Sequence, residues 1–158
     1  MKELIENINQ IAEFGISPKV ELKNKVLELK QLLVSIYNCF LNSEDVFDNK
    51  EYRDNFDFPY EEIKENVEKN FLDFGWYISI NDIHKVEYKN GEPKSVINSD
   101  LGDPIDDISD IIKDLLEVKW RVENTSKEDA IWHFRFLMKN HAEKHLVDLL
   151  KFLKDFEG

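Results

Sequence analysis

Cysteine, membrane-length hydrophobic runs and positive charge are all scarce in this chain of 158 residues. Cys39 is the single cysteine, so no disulfide can form within the chain, and its apolar helical surroundings predict a small buried side chain. No apolar run approaches the roughly 20 residues that span a bilayer. The opening MKELIENINQ lacks the continuous apolar segment of a secretory signal. These absences predict a cytoplasmic protein in a reducing environment.

Lysine and arginine total 21 against 33 aspartate and glutamate residues, which gives a formal net charge of -12. Nucleic acids and anionic membranes are themselves negative, so this balance argues against both as partners and favours a basic protein. The chain also lacks a glycine-rich phosphate loop, a nucleophile elbow and a Cys/His nucleophile spacing. The sequence therefore indicates no cofactor, and it favours a binding protein over an enzyme.

The amphipathic patterns predict a mainly α protein: one helical domain over residues 1–158, built as an antiparallel bundle of about five helices. Helical periodicity precedes the insertion in three segments, at about residues 3–14, 18–41 and 59–71. Gly15 predicts the end of the first helix, and Ser17-Pro18 predicts the start of the second by a cap followed by a proline. The acidic, aromatic stretch 42–58 has no clean period and predicts a loop pinned by its aromatic side chains.

Residues 75–102 predict an irregular or hairpin insertion before the C-terminal helices. Alternation of Trp76, Ile78 and Ile80 with polar neighbours favours a strand. Asn90-Gly91 is a typical two-residue hairpin turn, with β-type segments on both sides. A lone two-stranded hairpin is marginally stable in water, so we expect it to rest on the helices.

Two helical patterns follow, joined by a few polar residues, and we expect them to pack antiparallel. Asp103 and Pro104 form a helix start, in which the aspartate caps the first turn and the proline needs no N–H partner. Thr125 and Glu128 have the spacing of a capping box for the last helix. The apolar side of the first pattern consists of Ile105, Ile108, Ile111, Ile112, Leu115, Leu116 and Val118.

Five sequence motifs of the C-terminal half resemble those of one bacterial family. They are Phe74-Gly-Trp-Tyr77, GDPIDDISDIIKD at 102–114, Trp120-Arg121, Ala130-Ile-Trp132 and HLVDLL at 145–150. Through them, residues 74–153 resemble the family known as domain of unknown function 5063. The resemblance implies a mainly helical fold and implies no activity. It also shows a departure, because Ala142-Glu143 stands where the family has a Trp-Gly pair, and a site lined by that pair would be altered here.

An acidic stripe opposite the apolar side of the first C-terminal helix is the main candidate site, and it consists of Asp103, Asp106, Asp107, Asp110 and Asp114. It has three interpretations: a solvated face, a docking face for a cationic partner, or a set of ligands for a divalent metal ion. Like charges four residues apart carry a small cost in a helix, so Asp110 and Asp114 are the better candidates for a role beyond capping. The candidate partner-binding residues are Asp106, Asp107, Asp110, Asp114, Trp76 and Trp120.

His141 and His145 lie four residues apart, so both imidazoles project from one face of a helix, a spacing that suits zinc. The alternative is a core histidine that donates to a carboxylate or a carbonyl, with its neighbour at the rim. We expect Arg121 to form an ion pair with Glu117 on the surface. We expect the Arg135 guanidinium to form a buried ion pair with an aspartate of an adjacent helix. One groove between the insertion and the helix pair could be lined by Trp76, Tyr77, Trp120 and Trp132, or these side chains could belong to the core.

Two functions follow from these candidates. The first is a protein-binding module, of the kind represented by immunity proteins and antitoxins, that uses the acidic helix face to hold a basic partner. The alternative is a metal-dependent enzyme with a His/Asp site on the C-terminal helix pair.

Overall fold

The computed structural model describes residues 1–53 and 56–156, and it confirms the mainly α class. The helices are α1 (Lys2–Ile16), α2 (Lys25–Leu41), α3 (Tyr60–Asn70), α4 (Pro104–Asn124), α5 (Lys127–Leu137) and α6 (Glu143–Phe156). A π-helical turn, Met138–Ala142, joins α5 to α6. The strands are β1 (Tyr77–Asn81), β2 (Val86–Lys89), β3 (Glu92–Ser95) and β4 (Asn98–Gly102). None of the described helices has the length and hydrophobicity needed to cross a membrane.

Helix α4 lies at the centre of the helical part, in contact with α1, α3, α5 and α6. Its apolar side is buried as the period predicts, with Ile108, Ile112 and Val118 fully inaccessible to solvent. Burial of each such side chain contributes about 1.5–3 kcal/mol, so this helix anchors much of the core. It begins as predicted, because the Asp103 carboxylate accepts a hydrogen bond from the backbone N–H of Ile105.

The boundary between α1 and α2 differs from the prediction at two points. Gly15 does not end α1; it lies inside the helix, where its missing side chain allows α1 to approach Ile63 and Ile112 closely. Ser17-Pro18 does not start α2, which begins after the cap Asn24. The reason is tertiary: the Asn70 side-chain amide holds the intervening segment by accepting from the Val20 N–H and donating to the Ser17 carbonyl.

Two small antiparallel sheets form the insertion. The predicted hairpin is confirmed: β2 pairs with β3, and the turn residues Asn90 and Gly91 have φ angles of 57° and 80°. The predicted strand at 76–80 is confirmed as β1, while its partner β4 was not predicted. The expectation that the hairpin rests on the helices is wrong, because residues 82–100 are all exposed.

The segment between α2 and α3 is a loop in its described residues, 43–53 and 56–58, as predicted; residues 54 and 55 lie outside them. Its aromatic side chains pin it to α4 and α5. Phe56 packs on Trp120 with ring centroids 5.3 Å apart, and Phe47 packs on Trp132 at 6.5 Å. A hydrogen bond of 2.5 Å from the Ser126 hydroxyl to the Asp48 carboxylate adds a polar attachment.

Three local predictions in the C-terminal half need correction. Ser126, not Thr125, caps α5, because its hydroxyl accepts from the Asp129 N–H. Arg121 does pair with Glu117, but the pair is not on the surface: Arg121 is 2% exposed and also donates to the Asp129 carboxylate. Arg135 donates to the carbonyl and hydroxyl of Ser43 in the loop rather than clamping an aspartate of a helix.

Candidate metal centre

The acidic stripe of α4 faces protein rather than solvent along much of its length. Asp107 and Asp114 are each 6% exposed, so a solvated or freely accessible face is wrong for these two residues. The physical reason is that α6 and the preceding π turn pack against this side of α4 and bring their histidines to the carboxylates. A buried carboxylate is tolerable when it is paired in this way.

Asp106 is the most accessible of the four aspartates between residues 106 and 114, with 42% of its side chain exposed. It is already paired, because Lys64 Nζ lies 2.6 Å and the Tyr60 hydroxyl 2.7 Å from its Oδ1 atom. Burial raises the pKa of Tyr60, and its hydrogen bond to Asp106 raises this pKa further, so the phenol stays protonated and donates. Asp106 therefore belongs to a contact between α3 and α4.

Each histidine uses its Nδ1 atom to contact a buried aspartate. His141 Nδ1 lies 2.8 Å from Asp114 Oδ2, and His145 Nδ1 lies 2.6 Å from Asp107 Oδ1. An ionised carboxylate only accepts, so the proton of each neutral ring sits on Nδ1 and leaves the Nε2 lone pair available. The hydrogen bond to Asp107 raises the pKa of His145, and burial raises the pKa of Asp114.

Both Nε2 atoms lie near one further carboxylate, that of Asp110. Its Oδ2 atom is 3.9 Å from His141 Nε2 and 3.8 Å from His145 Nε2. One ligand atom from each of the three residues lies within 4.8 Å of the other two. Zinc binds nitrogen and oxygen ligands at about 2.0–2.2 Å, so small side-chain rotations would bring all three atoms onto one ion. The set fits a divalent transition metal.

The backbone that carries the two histidines contains a π-helical turn, which affects the direction of their side chains. His141 lies within the π turn and His145 in the first part of α6. A π turn inserts an extra residue into a helix and changes the direction of the side chains that follow, and such turns are frequent at functional sites. The two imidazole centroids are 4.7 Å apart with their planes at 70°, so the rings do not stack and both edges face Asp110.

Two surface cavities reach the histidines, and Lys144 lines both of them. One, of ≈ 290 Å³, is lined by Trp76, Tyr77, Asp107 and His145 among others. The other, of ≈ 420 Å³, is lined by His141 among others. The His141 side chain is 46% exposed, so a small molecule in this second cavity could reach its ring.

Tyr77, from strand β1, supports the site from the sheet side. Its hydroxyl donates to Asp107 Oδ2 at 2.6 Å, while His145 occupies the other oxygen of the same carboxylate. Burial raises the pKa of Tyr77, as does the hydrogen bond to Asp107, so the hydroxyl remains a donor at neutral pH. Gly102 in β4 makes room for this ring, since a Cβ atom there would lie 2.2 Å from it.

The structure brings some of the predicted site residues together and separates others. Asp107, Asp110 and Asp114 meet the two histidines, and Trp76 lies at the mouth of the smaller cavity. Trp120 and Trp132 instead hold the loop through Phe56 and Phe47, so the tryptophans do not line one groove. The sequence predicted a His/Asp site on the C-terminal helix pair as one alternative, but it did not identify which aspartate contacts which histidine; the matching helical spacings of the two sets were the available signal.

Comparison of the chain with protein families, with curated proteins and with solved structures finds no match. The resemblance of residues 74–153 to the family of unknown function therefore stays a prediction.

Proposed function

We propose that the protein binds one divalent transition-metal ion through Asp110, His141 and His145. One observation carries the proposal: both imidazoles have Nδ1 engaged by a buried carboxylate while both Nε2 atoms approach the same carboxylate oxygen. Metal-bound histidines in proteins commonly donate their second N–H to a carboxylate, which fixes the tautomer and the ring orientation. Asp114 and Asp107 supply these partners here.

The donor set narrows the class of ion. Two imidazole nitrogens and one carboxylate oxygen suit zinc, iron, manganese or cobalt, and the lack of thiolate ligands disfavours soft ions such as copper(I). Three protein ligands leave coordination positions for water or substrate, which distinguishes catalytic sites from closed structural sites. We therefore favour a metal-dependent enzyme in which the ion polarises a substrate or activates a bound water.

The docking face for a basic protein has weaker support. Asp106 is neutralised by Lys64, and Asp107 and Asp114 are held by the two histidines. A cationic partner would have to displace these contacts before it could reach the carboxylates, and Asp107 and Asp114 are each only 6% exposed. The proposed metal site keeps the contacts of Asp107 and Asp114 to the histidines and takes Asp110 as its carboxylate ligand.

Measurement of the metal ion bound per chain tests the proposal directly. The protein is loaded with zinc, manganese, cobalt or iron(II), dialysed, and analysed for bound ion by plasma mass spectrometry and titration calorimetry. We expect one ion per chain, and we expect Asp110→Asn, His141→Ala and His145→Ala each to remove most of the binding. His84→Ala and Asp73→Asn are matched controls, because both residues are exposed and remote from the cluster in sequence.

Two results would contradict the proposal. One is a wild-type chain that retains no ion from any of the four metals. The other is binding that survives all three cluster substitutions, which would place the ion elsewhere.

A further inference from the structure

The hairpin formed by β2 and β3 is exposed along its whole length, and we call residues 82–97 the arm. Every residue of the arm is exposed, including Ile83 at 78%, Tyr88 at 73% and Ile97 at 72%. A two-stranded hairpin is marginally stable in water, so a partner that pairs with it would stabilise it. Something outside the chain is therefore expected to cover the arm.

The two faces of the arm differ in chemistry because side chains alternate along a strand. One face carries Val86 and Tyr88, opposite Ser95 and Pro93. On the other face, Glu87 lies opposite Lys94 and Lys89 lies opposite Glu92, so opposite charges pair across the hairpin.

The two outer edges differ as well. The turn joins Lys89 directly to Glu92, and in a two-residue hairpin these flanking residues form a hydrogen-bonded pair. Hydrogen-bonded and non-hydrogen-bonded pairs alternate along the ladder, so Tyr88 and Pro93 form a non-hydrogen-bonded pair, whose main-chain groups point outward. Proline has no N–H, so the β3 edge is blocked at its centre. The β2 edge keeps its donors and acceptors, and no strand within the described residues pairs with it.

We propose that β2 pairs with β2 of a second copy of this chain, antiparallel and centred on Tyr88, to form a four-stranded sheet across a two-fold axis. The backbone N–H and C=O groups of Tyr88 point outward, and they form two hydrogen bonds with the same groups of Tyr88 of the partner subunit. The same register places Glu87 opposite Lys89 of the partner subunit, and by symmetry this ion pair occurs twice. The strand sequence is thus complementary to itself.

The distribution of charge favours the arm as the place where two copies of the chain meet. The chain carries a net charge of -12, so two copies repel each other over most of their surfaces. The arm is an exception, because Lys85, Lys89 and Lys94 balance Asp82, Glu87 and Glu92, which gives +3 - 3 = 0 with histidine neutral. Two edges of four residues bury little surface, so the dimer is reversible and depends on protein concentration.

Sedimentation velocity over a concentration series tests the dimer. We expect the wild type to pass from monomer to dimer, and Tyr88→Pro to stay monomeric because it removes an outward N–H and no hydrogen bond within the hairpin. Ser95→Pro is the matched control: Ser95 has an outward N–H on the edge that Pro93 already blocks, so this variant should dimerise like the wild type. Circular dichroism verifies that both variants keep their helices.

A pair of charge reversals tests the register. Glu87→Lys and Lys94→Glu both break the pair between Glu87 and Lys94 within the hairpin. Only Glu87→Lys also sets like charges against Lys89 of the partner subunit, twice per dimer. We expect this variant to weaken the dimer by roughly tenfold or more, and Lys94→Glu to change it little.

Three outcomes would overturn the proposal. They are a wild type that is monomeric up to its solubility limit, a Tyr88→Pro variant that dimerises like Ser95→Pro, and charge reversals that act equally. None of these outcomes bears on the metal site, which lies on other elements.

Discussion

At the scale of single residues, the two buried aspartates that face the histidines decide how the candidate metal centre works. Asp107 and Asp114 do not belong to the proposed ligand set; they hold the Nδ1 atoms of His145 and His141. A carboxylate in this role fixes ring orientation and raises the basicity of the ligand nitrogen. The distances of 2.6 and 2.8 Å are those of hydrogen bonds, so the fold itself holds the orientation of both rings.

Asp107→Asn and Asp114→Asn should each weaken metal binding by about 10- to 100-fold, because an amide holds the imidazole less firmly and does not increase its basicity. Titration calorimetry with zinc measures the affinity. Asp106→Asn is the matched control, since Asp106 lies on the same helix but contacts Lys64 and Tyr60 instead. An equal loss of affinity in Asp106→Asn would show that the charge of α4, and not the contact to the histidines, determines binding.

Cys39 provides a second prediction at this scale. Burial raises the pKa of its thiol, so the reactive thiolate is scarce at neutral pH. We expect the native protein to react slowly with a disulfide reagent at pH 7.5 and the urea-unfolded protein to react quickly. Equal rates in the two states would show that the thiol is freely accessible in the fold.

At the scale of elements, the close approach of helices explains why a glycine can lie within a helix although its low helix propensity predicts a helix end. Gly15 lies inside α1, and a Cβ atom at this position would be 2.8 Å from Ile63 Cγ2 and 3.3 Å from Ile112 Cγ2. Both isoleucines are buried, so neither can move away without disturbing the core.

Gly15→Ala should therefore destabilise the protein by about 1–3 kcal/mol, even though alanine favours a helix by up to about 1 kcal/mol over glycine. Urea unfolding followed by circular dichroism measures the change. Gly75→Ala is the control, because no atom lies within 4 Å of the added methyl group and the position is outside the helices. A Gly15→Ala variant as stable as the wild type would contradict the close packing of α1 against α3 and α4.

At the scale of the whole molecule, the proposed metal site joins segments that are distant in sequence. Asp110 belongs to α4, His141 to the π turn and His145 to α6. An ion held by all three would bind the folded chain and not the unfolded one, so its binding energy adds to the free energy of unfolding.

Metal at about 100 times its dissociation constant should raise the free energy of unfolding by about 2.7 kcal/mol. For a chain of this size the melting temperature should rise by roughly 5–10 °C. Differential scanning calorimetry with the preferred ion, and again after addition of a chelator, measures the rise and its reversal. His145→Ala should show no rise; a rise as large as that of the wild type would separate thermal stabilisation from the proposed ligands.

The sequence alone determined the features that depend on neighbouring residues. Asp103 and Pro104 set the start of α4, and Asn90-Gly91 set the turn of the hairpin, because caps and two-residue turns are properties of a few consecutive side chains. The apolar period of α4 likewise predicted its buried side, since a helix repeats every 3.6 residues wherever it lies.

Only the tertiary structure decided where the acidic stripe points. His145 meets Asp107 across 38 residues of chain and His141 meets Asp114 across 27, and no local pattern specifies which helix faces which. The Asn70 amide kept Ser17-Pro18 out of a helix for the same reason, because its partners lie about 50 residues away. Periodicity specifies one face of each helix, whereas the site depends on which two faces pack together, and the shape of the whole core determines that choice.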